Sequence, residues 1–305
     1  MTDTKKMTAY LAHRDFIKEV LHETGKPMAV YERLILIKGE EKPSIWAQNI
    51  WKNPEFIDIS SIKDGAKKLR NIQRNWWNYS FDNHRRSALI QENLPHISAK
   101  PIQFPNPAPT APLGSWTLIE PNLILASPDC SSIFPNGELN FEEDRKTSPT
   151  RAYLKLWDVF TRTGIYPKKG QKCIDLGSCP GGWSWVLQQL GCKVISVDKA
   201  PLEPRIAKLP NIEFRKESAF GLNPQDIGTV DWVFSDIICY PERLLRLVNN
   251  WIESGLTNNM ICTIKFQKET DYKITQEFLN IPGSRIMHLY HNKHELTWIW
   301  SRKDA

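Results

Sequence analysis

The stretch KCIDLGSCPGGWSWVLQQLGCKVISVDKAPL, residues 172–202, decides the fold of this chain. It has the pattern of a strand that closes on Asp175, a glycine turn, a helix, and a second strand that ends at Asp198. Ligands of open parallel sheets bind at the carboxyl ends of the strands, where glycines let the main chain approach them closely. The stretch therefore predicts a ligand site directly after the first strand.

Strand and helix patterns alternate through the C-terminal half, which predicts an α/β fold with a doubly wound parallel sheet. Seven strands are predicted, at 173–176, 194–197, 212–214, 230–235, 261–265, 286–290 and 295–300. Helices are predicted at 183–190, 241–254 and 271–279. The second of these helices begins with a proline and stops before a glycine, as helices commonly do.

The glycine spacing bears on the class of cofactor. The pattern DxGxxPGG differs from the GxGxxG dinucleotide fingerprint, and Pro180 would distort the pyrophosphate cradle that NAD and FAD need. Asp198 stands where an acid can accept hydrogen bonds from a ribose diol, although a loop aspartate without a ligand is the alternative. The pattern favours a nucleoside-containing cofactor and disfavours a dehydrogenase.

Length and composition predict two domains and a polyanionic partner. The chain has 305 residues, 41% of them apolar, and a net charge of +6. The proline-rich segment 100–112 and the irregular segment 127–150 predict an N-terminal domain over 1–145 and a second domain over 146–305. The six cysteines lack metal-ligand spacing, and signal-peptide and membrane-span patterns are absent, so we expect reduced thiols, no metal, no membrane partner and a cytoplasmic enzyme.

Five segments of the second domain carry a family resemblance. DLGSCPGGW (175–183) resembles the first motif of the FtsJ-type, or RrmJ-type, ribose 2'-O-methyltransferases, and the other family blocks are matched by SPTRAYLKLWDVF (148–160), FSDIICYPERL (234–244), CTIKFQ (262–267) and HNKHELTWIW (291–300). Within the family the chain looks closest to the RlmM branch, the cytidine 2'-O-methyltransferases of large-subunit ribosomal RNA. The resemblance implies a class I, Rossmann-like methyltransferase domain with a seven-stranded sheet and S-adenosylmethionine as cofactor.

The resemblance also implies the site residues. Cofactor binding is expected at Gly177, Cys179, Pro180, Gly181, Gly182, Trp183, Asp198, Ser218 and Asp236. Ser218 stands where the family usually has an acid near the adenine, with Glu217 beside it. The family's catalytic tetrad is matched by Lys155, Asp236, Lys265 and Glu295.

The predicted strands bring the tetrad together independently of the resemblance. Asp236 and Lys265 end consecutive strands and Glu295 opens another, all at the same edge of the sheet. A ribose hydroxyl needs a base beside it to become nucleophilic. Our hypothesis is that Lys265 is this base, with its pKa lowered by partial burial and by Lys155. Asp236 would hold the amine, and Glu295 would orient the hydroxyl or Lys155.

The N-terminal half, expected to be α+β, contains a basic and aromatic segment at 63–86. Lysines and arginines lie on both sides of Trp76, Trp77, Tyr79 and Phe81 there, a combination that RNA-binding surfaces use. The alternative is an amphipathic helix over 62–77 that packs Leu69, Ile72 and Trp76 on a core. The segment makes the first domain a candidate for RNA binding and substrate positioning.

The leading interpretation is an RNA ribose 2'-O-methyltransferase that acts on a cytidine of 23S ribosomal RNA. A catalytically retired protein that binds cofactor and RNA is one alternative, and a methyltransferase with a non-RNA acceptor is another. Redox chemistry with NAD comes last because of the glycine spacing. The sequence leaves the oligomeric state open.

Overall fold

The computed structural model describes residues 6–305. The chain divides into two compact units, of which the first ends at Phe141 and the second spans Glu142–Ala305. Among the described residues, no helix is both long enough and apolar enough to cross a membrane.

The first unit combines two sheets with three helices over its described part, which confirms the α+β prediction. Its strands β1–β9 are Met7–Ala12, Ala29–Tyr31, Leu34–Lys38, Ala47–Lys52, Glu55–Asp58, Trp76–Asn78, Gly114–Glu120, Leu123–Ser127 and Asp129–Cys130. Its helices α1–α3 are Ile17–Thr24, Ile62–Ile72 and His84–Glu92. The five-stranded sheet has the order β2-β3-β1-β4-β9 and the four-stranded sheet the order β5-β8-β7-β6.

The helix that the alternative interpretation places over 62–77 is shorter in the structure. It ends at Ile72, and Trp76 lies in β6, which pairs with β7. Trp76 and Leu69 are fully buried in one core cluster, and the Trp76 indole donates a hydrogen bond to the Leu69 carbonyl at 2.8 Å. Ile72 is 45% exposed, so the packing on a core that the alternative interpretation gave it is wrong. Pairing with β7 and burial of the indole hold Trp76 in a strand. Its helical spacing from Leu69 did not indicate this strand.

The second unit is built on a seven-stranded sheet with the order β12-β11-β10-β13-β14-β16-β15. Strands β10–β16 are Lys172–Leu176, Lys193–Asp198, Ile212–Lys216, Val230–Ser235, Thr257–Lys265, Ser284–Met287 and Glu295–Ser301. Helices α4–α9 are Tyr153–Thr163, Gly182–Gln189, Pro204–Ala207, Pro224–Ile227, Pro241–Ser254 and Tyr272–Leu279. This doubly wound sheet confirms the predicted class I methyltransferase fold.

One strand departs from the parallel arrangement that the sequence patterns suggested. β16 runs antiparallel to both β14 and β15, and its first residue, Glu295, lies opposite the last residue of β14, Lys265. The start of an antiparallel strand lies at the same edge as the ends of the parallel ones. The convergence of Lys265, Glu295 and Asp236, which follows β13, depends on this reversal.

Candidate functional site

A cavity of about 490 Å³ opens at the carboxyl ends of the central strands of the second unit. This volume is typical of pockets for small molecules and cofactors. The wall is formed by the loops that follow β10 to β14, together with the segment before α4 and the first turn of α8. It comprises Thr150, Ala152, Asp175, Gly177, Ser178, Cys179, Pro180, Gly182, Trp183, Val197, Asp198, Lys199, Glu217, Ser218, Ala219, Phe220, Asp236, Ile237, Ile238, Arg243 and Lys265.

The glycine turn after β10 forms part of the cavity wall. Gly177 has a φ of +81°, and a side chain there would overlap Ile237, which also lines the cavity. Ser178 is buried, and its Oγ has no hydrogen-bond partner within the described residues. A shielded hydroxyl of this kind is satisfied by a ligand or water that enters the cavity. The turn therefore fits a polar cofactor that lies close to the main chain.

Asp198 is already oriented by backbone amides. The Cys179 N–H donates to one carboxylate oxygen and the Ala200 N–H to the other, both at 2.9 Å. Each carboxylate oxygen can accept a further hydrogen bond, so both remain available to a diol. This geometry suits the ribose contact expected of Asp198.

The wall contains eight of the nine expected cofactor residues. The exception is Gly181, which precedes α5 and whose missing side chain makes room for Ile206 instead. Glu217 and Ser218 both line the cavity, so an acid stands next to the expected adenine position after all. The sequence patterns did not indicate that Lys199, Phe220, Ile238 and Arg243 line the cavity. The reason is that loops lack the periodicity that shows which side chains of a helix or strand share a face.

Asp175 is a carboxyl group in the wall that is almost fully buried, with 1% of its surface exposed. Burial raises its pKa to about 7, although the Ser184 hydroxyl, which donates at 2.7 Å, partly opposes this shift. The negative charge of Asp236 raises the pKa further. A cation in the cavity would favour the ionised form of Asp175.

The four tetrad side chains form one continuous ionic cluster. Lys155 Nζ lies 2.9 Å from both carboxylate oxygens of Asp236 and 2.9 Å from Glu295 Oε1. Lys265 Nζ lies 2.9 Å from Asp236 Oδ1 and donates to the Asp236 carbonyl at 2.6 Å. The structure thus brings together residues from α4, β14, β16 and the loop after β13.

The charges in this cluster stabilise one another. Burial alone would lower the pKa of Lys155, but Asp236 and Glu295 outweigh it and raise that pKa above its ordinary value. Burial would raise the pKa of Asp236, but Lys155 and Lys265 hold it below the usual range. Lys155 and Asp236 are therefore charged at neutral pH.

The two lysines occupy different positions. Three carboxylate oxygens surround Lys155, which is not among the residues of the wall, whereas Lys265 lines the cavity. A lysine ammonium has three N–H donors, and the contacts of Lys265 with Asp236 use two of them. Lys265 can therefore reach a group in the cavity, while Lys155 holds the carboxylates in place.

A buried ion pair supports the helix that carries Lys155. Asp158, fully buried one turn further along α4, pairs with Arg162 and accepts hydrogen bonds from the backbone N–H and Nδ1 of His291. Sequence reasoning missed this group. The four-residue spacing of Asp158 and Arg162 was its only visible signal, because His291 lies 133 residues away.

The aromatic rings of segment 63–86 serve mainly the core of the first unit. Trp76 is fully buried and Tyr79 is 3% exposed, so neither ring can stack on a base. Trp77 and Phe81 are half-buried, and Phe81 packs against Tyr31. The cations of the segment stay largely at the surface. RNA contact by this segment stays a prediction. Its exposed cations would pair with phosphates, whereas its buried rings could not stack on bases.

Comparisons with known proteins match the second unit to one family. The model described as FtsJ-like methyltransferase matches residues 149–281. Proteins named ribosomal RNA large subunit methyltransferase M are similar to this chain. That of Halorhodospira halophila is 29% identical over 52% of this chain and 49% of its own length. That of Marinobacter nauticus is 30% identical over 59% and 54%, and that of a Marinomonas species is 28% identical over 82% and 71%.

The chain spans about half the length of the first two of these relatives. The matches confirm the resemblance carried by the motifs, both to the FtsJ-like domain and to its large-subunit branch. Residues 149–281 of the second unit match the FtsJ-like methyltransferase model, and methyltransferases of this kind use S-adenosylmethionine as cofactor.

Proposed function

We propose that this chain is an S-adenosylmethionine-dependent RNA ribose 2'-O-methyltransferase that acts on large-subunit ribosomal RNA, with a cytidine as acceptor. The observation that carries the proposal is the cluster of Lys155, Asp236, Lys265 and Glu295 at the cavity. The names of the relatives support ribosomal RNA as the substrate class. Such a substrate implies a cytoplasmic location.

Methyl transfer to a ribose requires a base at the hydroxyl. The bound cofactor supplies a methyl group on a positively charged sulfur. The hydroxyl is a weak nucleophile at neutral pH, so its proton must leave as the new oxygen–carbon bond forms. Lys265, as the neutral amine, is the group of the cluster that faces the cavity, and we assign to it the acceptance of this proton at Nζ.

The other members position this amine. Asp236 holds Lys265 Nζ through both its backbone carbonyl and its carboxylate, which limits the directions in which the amine can point. Lys155 ties Asp236 to Glu295 and prevents the two carboxylates from repelling each other. Fixing the base in this way lowers the entropic part of the barrier.

The test is methylation of RNA from a strain that lacks this protein. Purified protein, labelled S-adenosylmethionine and total RNA are incubated, and the modified nucleoside is identified by mass spectrometry. We expect a 2'-O-methylated nucleoside with the wild type. With Lys265→Ala we expect a rate lower by about two orders of magnitude or more. Lys265→Arg should fail similarly, because a guanidinium keeps its proton.

The matched control is Lys193→Ala, which removes an exposed lysine at the other end of the sheet. Calorimetry with S-adenosylmethionine verifies that each variant still binds cofactor. Full activity of a folded Lys265→Arg protein would show that Lys265 is not the base. Cofactor binding without any transfer to RNA by the wild type would instead point to a different acceptor.

A further inference from the structure

The loop that follows β13, residues 236–240, presents two large apolar side chains to solvent. Ile238 is 82% exposed and Tyr240 is 65% exposed, although Cys239 between them is buried. Single exposed apolar side chains are common on protein surfaces. Two of them within four residues of Asp236, at the opening of the candidate active site, are a stronger indication of a contact surface.

Of these two side chains, only that of Ile238 lines the cavity. Ile238 is part of the wall, together with Asp236 and Lys265. Tyr240 is not part of the wall and stands just before Pro241, the first residue of α8. A cofactor within the cavity can contact Ile238, whereas Tyr240 is exposed to solvent outside the cavity wall. Tyr240 is therefore placed to contact the methyl acceptor.

Cations accompany the exposed ring. Arg243 and Arg246 are exposed on α8 with the three-residue spacing that puts side chains on one face, and Glu242 is exposed beside them. The Arg243 guanidinium lies 3.8 Å from the centre of the Phe220 ring, which also lines the cavity. An exposed ring flanked by arginines suits single-stranded RNA, because bases stack on rings and phosphates pair with cations.

We propose that Tyr240 stacks on the base of the acceptor nucleotide while Ile238 packs against the same nucleotide, so that its ribose hydroxyl points towards Lys265. The inference rests on the proposed function and deepens it. Stacking tolerates any base, because every base has a flat apolar face. Tyr240 and Ile238 are therefore positioning residues, which hold the acceptor nucleotide without reading its identity.

The test compares the wild type with Tyr240→Ala and Tyr240→Phe. Affinity for a fluorescein-labelled, short single-stranded RNA is measured by anisotropy, cofactor affinity by calorimetry, and KM and kcat on total RNA from the strain that lacks this protein. Loss of one stacked base corresponds to roughly tenfold in affinity. We expect Tyr240→Ala to weaken RNA binding and raise KM by about this factor, with cofactor affinity unchanged. Tyr240→Phe keeps the ring and should behave as the wild type.

The matched control is Ile165→Ala, which truncates another exposed apolar side chain of the second unit, in the loop between α4 and β10. This variant should bind RNA normally. RNA binding by Tyr240→Ala at the wild-type level, or a parallel loss of cofactor affinity, would overturn the inference. So would a Tyr240→Phe protein as weak as Tyr240→Ala. Failure of the wild type to methylate RNA would refute the proposed function. This result requires no Tyr240 variant, so it is distinguishable from failure of the inference about Tyr240.

Discussion

Cofactor binding should release a proton from Asp175. This carboxyl group lines the cavity and has a pKa of about 7 because it is buried, so a large part of it is protonated at neutral pH. S-adenosylmethionine carries a net positive charge, and a cation in the same cavity favours the carboxylate. Binding is then coupled to ionisation of Asp175, and affinity should increase as the pH rises towards 7.

The size of the effect follows from the pKa. If the bound cofactor returns the pKa of Asp175 to its ordinary value near 3.8, ionisation reduces the affinity about 30-fold at pH 5.5 and about twofold at pH 7. The affinity should therefore rise about 15-fold between these two pH values. This corresponds to about 1.6 kcal/mol of binding free energy.

Calorimetry of the wild type and Asp175→Asn at both pH values tests this coupling. The asparagine carbonyl can still accept the hydrogen bond from Ser184, but the side chain no longer ionises. We expect an affinity in the variant that hardly changes with pH. Wild-type titrations at pH 6 in buffers of different ionisation enthalpy should reveal the released proton. The same pH dependence in both proteins would refute the assignment to Asp175.

Three further predictions concern the second unit. Lys155→Met should abolish methylation and lower the free energy of unfolding by about 3–5 kcal/mol, measured by urea denaturation, because Asp236 loses a buried ionic partner. Asp158→Asn should destabilise the fold by a similar amount at neutral pH. Burial would raise the pKa of Asp158, but Arg162 outweighs it and lowers the pKa, so this stabilisation is present above pH 4 and lost as the pH falls below it. Cys179 is exposed in the cavity wall, and burial and Asp198 raise its pKa, so its alkylation by iodoacetamide should accelerate above pH 8 and be blocked by the cofactor. Mass spectrometry measures the alkylation, with a Cys179→Ser protein as control. Unchanged alkylation with saturating cofactor would contradict the placement of the site.

The sequence patterns predicted the second unit well because its signals are local. Helix α8 was predicted at 241–254 and is observed at Pro241–Ser254, since proline and glycine mark its two ends. The glycine turn and Asp198 were found because strand ends of a parallel sheet share one edge. The positions of Asp236 and Lys265 at the cavity follow from the same rule.

Features that depend on distant contacts escaped the sequence patterns. Trp76 has helical spacing from Leu69, yet pairing with β7 draws it into a strand. The different environments of Lys155 and Lys265 come from side-chain geometry, which motif matching does not include. The exposure of Tyr240 is likewise a property of the folded loop.

The strand order of the first unit determines when it can fold during synthesis and where the chain can be truncated. Both of its sheets are completed by strands that follow the proline-rich segment 100–112, since β9 pairs with β4, and β7 and β8 with β6 and β5. A nascent chain that ends within this segment has strands in both sheets without their partners, and such unpaired edges invite aggregation. Folding of this unit on the ribosome must therefore wait until residues 113–130 have emerged. A protease cut or a gene truncation at the prolines should yield an insoluble fragment, whereas one after Phe141 leaves both sheets complete.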